Sequence, residues 1–63
     1  MYKCGFKFKV TGKNITGEID GVSTTGIYNV CFYEKGMMYY RADVYESTIT
    51  NNIKYGIYEV IND

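Results

Sequence analysis

The chain has 63 residues with no His, Pro or Trp, and its seven basic side chains balance seven acidic ones, giving zero formal charge and a pI near 6.1. That balance excludes a strong field towards nucleic acid or anionic membrane, and no apolar run is long enough to span a bilayer. A domain this small buries only about 60% of its unfolded surface; with no His and two widely separated Cys a structural metal is not expected, so self-association is the remaining aid to stability.

Residues 1–63 are read as a single domain. Leu and Gln are absent and Ala occurs once, whereas Ile, Lys, Asn, Tyr and Phe are abundant. Strand formers therefore outweigh helix formers. The same bias fits AT-rich coding, as in low-GC bacteria, their phages and their mobile elements. The start of the chain lacks a secretory-type apolar stretch, so a cytoplasmic location with reduced thiols is expected. Without a secretory route, the acceptor pattern Asn14-Ile15-Thr16 carries no consequence.

Tyr2 to Val10 alternates strictly. Tyr2, Cys4, Phe6, Phe8 and Val10 fall on one face, and Lys3, Gly5, Lys7 and Lys9 on the other, as a half-buried strand requires. Thr11-Gly12-Lys13-Asn14 reads as a two-residue turn with Gly at its first central position. Pairing Thr11 with Asn14 sets Phe8 opposite Gly17 and Phe6 opposite Ile19 inside, with Lys7 opposite Glu18 outside. Two independent features thus agree on one register.

Gly21 to Gly26 reads as a loop. The next strand, Ile27 to Tyr33, turns at Glu34-Lys35-Gly36, a three-residue loop of the glycine-bulge kind. Pairing Tyr33 with Met37 puts Phe32, Val30 and Tyr28 inside beside Met38, Tyr40 and Ala42. Outside it puts Cys31 against Tyr39, Asn29 against Arg41 and Ile27 against Asp43. Tyr45-Glu46-Ser47 breaks the pattern, as one short 3₁₀ turn, and a last strand runs from Ile53 to Ile61 with a bulge near Gly56. The fold class expected is all-β, a five-stranded antiparallel small barrel.

Three stretches, Gly17-Glu18-Ile19-Asp20-Gly21, Tyr28-Asn29-Val30 and Tyr40-Arg41-Ala42-Asp43-Val44-Tyr45-Glu46-Ser47, resemble the layout of SH3-like small barrels. The resemblance spans about Phe8 to Ile49 and implies the fold alone. Plasmid-encoded type II dihydrofolate reductases share that layout, but of their pore segment only Tyr40 matches within Met37-Met38-Tyr39-Tyr40. Their activity is therefore not implied, nor is any cofactor.

An enzyme is not expected. Without His, acid–base chemistry near neutral pH would need a strongly shifted carboxylate, Lys, Tyr or Cys. The acids Glu18, Asp20, Glu34, Asp43, Glu46 and Glu59 fall mostly on outer faces and turns. Cys4 reads as a buried small hydrophobe, and Cys31 as a thiol on the outer face, so the two do not face each other as a disulfide requires.

Two candidate surfaces remain. Ile27, Cys31, Tyr33, Met37 and Tyr39, with Arg41 and Tyr45 near their edge, form an apolar outer cluster of the kind enriched where proteins meet. It is read as a protein-partner or homo-oligomer interface, set against ordinary core if the terminal strand folds over it. A compact protein-binding module or inhibitor, of the sort phages direct at host factors, is the function expected. The alternative is nucleic-acid binding through Lys3, Lys7, Lys9 and Lys13, partly neutralised by Glu18 and Asp20.

Overall fold

The computed structural model describes residues 2–61. Five antiparallel strands and one helix follow in the order β1 (Lys7–Val10), β2 (Ile15–Thr24), β3 (Ile27–Glu34), β4 (Met37–Tyr45), α1 (Glu46–Lys54) and β5 (Tyr58–Val60). The sheet order is β4-β3-β2-β1-β5, so β1 to β4 form a meander and β5 returns to pair with β1. The β-rich antiparallel fold agrees with expectation. The sheet is not closed: β4 and β5 are its two edges.

The first hairpin has the expected register, with Lys7 opposite Glu18 and Phe8 opposite Gly17. Its turn differs: Thr11 to Asn14 lie between the strands, and Lys13 N–H donates to the Val10 carbonyl at 3.1 Å. That sets Gly12, at φ 78°, at the second central position instead of the first. The backbone bonds Phe6 to Ile19 as well, at 2.9 Å. This face explains Gly17. The Phe8 ring lies across it, and a Cβ there would stand 2.3 Å from Phe8 Cζ. Phe8 then stacks on Tyr58 at 4.1 Å and meets Phe32 edge-on at 6.0 Å, while Phe32 stacks on Tyr40 at 4.8 Å. An aromatic row therefore crosses the inner face from β5 to β4. Phe8, Ile19, Val30, Phe32 and Tyr28 form the buried core, joined from α1 by Ile49.

Several boundaries differ from the sequence reading. The opening strand is cut short by a turn at Cys4-Gly5, with Gly5 at φ 94° and Phe6 N–H donating to the Lys3 carbonyl at 3.0 Å. Cys4 is consequently exposed rather than buried, its thiol 2.9 Å from the Asp20 carbonyl. Gly21 to Thr24 continues β2 instead of looping. The chain between β3 and β4 turns in two residues, Lys35 and Gly36, both at positive φ (53° and 83°). That is the primed hairpin geometry matching strand twist, and it moves the register.

The largest difference is α1, where a short turn and the start of a strand were expected. Ile49 and Ile53 are four apart and share a helical face; Glu46 lies in the first turn and Lys54 in the last, both favourable to the helix dipole. Gly56 stops it. At φ 78°, it donates to the Ile53 carbonyl at 3.2 Å, and Ile57 N–H donates to Asn52 at 2.8 Å. These two bonds are the Schellman stop. Gly56 thus ends a helix rather than making a bulge in a strand, and β5 shrinks to Tyr58–Val60.

Candidate functional site

β4 is a long edge strand, and its composition is unusual for one. Met37, Met38, Tyr39 and Tyr40 are 76, 53, 56 and 47% exposed, and Tyr45 is exposed at the far end. Edge strands normally avoid self-pairing by being short, charged or covered. β4 has none of these protections over its first half.

A bulge arranges these side chains. Phe32 pairs with Tyr40, but the next residue, Tyr33, pairs with Met38, so Tyr39 is the extra residue. Its ring meets that of adjacent Tyr40 at 4.9 Å, a contact that side chains on opposite faces could not make. The expected outer cluster is therefore redistributed. Met38 takes the place next to Tyr33, and Met37 sits opposite Glu34, in phase with the inner face. Met38, expected inside, moves to the outer side beside Tyr33, whereas Tyr40 keeps the inner face, stacked on Phe32, though half-exposed. No alternation rule reveals a bulge, but the meander itself could have marked the fourth strand as an edge.

The other expected interface residues lie on the outer face in two groups. Cys31 and Arg41 are cross-strand partners, with Tyr33 one pair further along, whereas Ile27 pairs with Tyr45 at the opposite end. Cys31 is only 3% exposed, flanked by the longer side chains of Glu18 and Arg41. It is not part of an open apolar patch, and both cysteines are free thiols. Arg41 reaches Asp20, the extra residue of a bulge in β2, at 3.2 Å. Both side chains are over half exposed, so the pair contributes little to stability. The guanidinium is held above its ordinary value first by a side-chain hydrogen bond with Cys31, then by charge on Cys31 and Asp20. The Tyr33 phenol is pushed up, chiefly by desolvation and then by negative charge on Cys31, Glu18 and Asp20.

Lys7 and Lys9 flank the buried Phe8 on β1 and so share its outer face, Lys7 opposite Glu18 and Lys9 opposite Glu59 of β5. Lys3 precedes the Cys4-Gly5 turn, and Lys13 sits at the tip of the first hairpin. Among the described residues no three His, Cys, Asp or Glu side chains gather as a metal site would need, and no helix is long and apolar enough to cross a membrane. The surface depressions are shallow. One lies at the β4 edge, about 280 Å³, lined by Asn29, Arg41, Ala42 and Asp43. Another of about 390 Å³ follows Lys35, Met37, Met38 and Tyr39. Their open form suits a surface contact better than an enclosed small molecule. Compared with family models, curated proteins and solved structures, the chain matches none of them.

Proposed function

We propose that this chain is a non-catalytic protein-binding module that self-associates and engages its partners through the β4 edge. The observation that carries the reading is the run Met37-Met38-Tyr39-Tyr40, exposed along a strand that has no neighbour on one side among the described residues. Such an edge offers backbone hydrogen bonds for affinity and side chains for specificity, the mode of binding by strand addition. Tyr and Met also supply large contact areas of the kind enriched at interfaces.

The finer assignments belong to the same proposal. A meander, a short helical segment and a fifth strand returning to the first support an SH3-like small-barrel relationship. Small size and AT-rich-type composition support a cytoplasmic inhibitor of phage or mobile-element origin, directed at a host protein. Changing Tyr39 to Glu tests the edge. Association measured by light scattering should weaken by about tenfold or more, as loss of an interface anchor does, with the far-UV spectrum unchanged. Undiminished association would place the binding surface elsewhere.

A further inference from the structure

We infer that β4 pairs antiparallel with β4 of a second copy, about a two-fold axis through Ala42, so that Arg41 of each copy faces Asp43 of the other. This deepens the preceding proposal by naming the occupant of the edge and its register, and it rests on that reading of β4.

Register decides how two copies of β4 can pair. A two-fold axis normal to the sheet keeps inner face with inner and outer with outer, so the axis must pass through a residue pair and only alternate registers are open. Centring on Arg41 sets two guanidinium groups face to face, and centring on Asp43 does the same with two carboxylates. Like charges directly opposite are destabilising. Centring on Tyr40 runs the new ladder through the Tyr39 bulge, where β4 is irregular. Centring on Ala42 avoids all three. It uses Tyr40 to Val44, a stretch that pairs with β3 without a shift. It sets Arg41 against Asp43 twice on the outer face, and Tyr40 against Val44 twice on the inner face. The small Ala42 side chains meet at the axis, beside the notch lined by Arg41, Ala42 and Asp43. Each end brings the exposed Tyr45 of one copy to the Tyr39 bulge of the other. The strand is self-complementary in this register.

The test is charge reversal, read by sedimentation of the full chain. R41D and D43R should each weaken the wild-type dimer by at least about tenfold, since each sets like charges opposite. An equimolar mixture of the two should recover dimer, because every facing pair is again opposite in sign, and the double variant R41D/D43R should dimerise alone. Recovery on mixing also shows that both single variants fold. As a second measurement, Ala42→Cys in a Cys4→Ser background should oxidise to a covalent dimer, since directly opposed residues lie about 4.5–5.5 Å apart between Cα atoms. A wild-type chain that stays monomeric at high concentration overturns self-pairing; if it still holds a foreign protein that Tyr39→Glu releases, the edge reading survives. A dimer indifferent to charge reversal, or a mixture without recovery, overturns the register.

Discussion

The two edges of this sheet are built on opposite plans. β5 spans only Tyr58–Val60, carries Glu59 in its middle, and follows directly from α1, whose Ile49 is sunk in the core. β4 runs from Met37 to Tyr45 and leaves Met37, Met38, Tyr39 and Tyr40 exposed. One edge is blunted by shortness, charge and a neighbouring helix, which are the usual protections against pairing. The other is long, and although Arg41 and Asp43 charge its second half and α1 follows it directly, Met37 to Tyr40 carry no charge. That difference in exposure is the observation on which the proposed use of β4 rests.

Substitutions test the contrast between the two edges. Ile49→Ala should have the largest effect. It removes the fully buried anchor of α1 and should cost about 2–5 kcal/mol, measured by urea denaturation. Since α1 leads into β5, amides at Tyr58–Val60 should lose protection first, and the two edges become alike. A loss well under 1 kcal/mol would mean that α1 does not secure that side. Gly17→Ala comes next, about 1–3 kcal/mol from overpacking against Phe8. It strikes the centre of the sheet, so thermal melts should show both edges weakened equally. Unequal loss would show that the edges do not share one core.

The smallest effect is electrostatic. Tyr33 stands next to Met38 on the β4 side of the outer face, and its folded phenol ionises above its ordinary value of 10.0. A raised value favours the protonated phenol in the folded state. Its stabilising contribution is therefore present below the unfolded value and lost as pH rises through the folded one. Alkaline titration by ultraviolet absorbance should show a late tyrosine component that Tyr33→Phe removes. An unchanged curve would mean that the surroundings of Tyr33 do not raise its ionisation.

How much of this was legible depends on where local rules agree. The first hairpin was readable because the Lys7–Glu18 pair and the Phe8–Gly17 pair demand one register, while the placement of Gly12 within its turn was not. The second was readable in its faces near Cys31 and Val30 but not in its register. Lys35 adopts a left-handed backbone that its side chain does not advertise, and Tyr39 is an extra residue that no period reveals. Cys4 was misplaced because alternation continues in the sequence past the point where Gly5 turns the chain. The helix was hidden by weak formers: Ser47, Thr48, Thr50, Asn51 and Asn52 have little intrinsic preference for it. Burial of Ile49 decides the matter, with Gly56 as the stop. The site suffered most, since which strand forms an edge is a property of topology, and which side chains sit on that edge depended on one bulge.

Backbone hydrogen exchange followed against protein concentration compares the edges directly. Unpaired strand backbone gains protection only when something adds to it. The account predicts that amides within Tyr40–Val44 become more protected as concentration rises, while those of Tyr58–Val60 do not change. Protection at β4 that is independent of concentration, or a gain confined to β5, would contradict it.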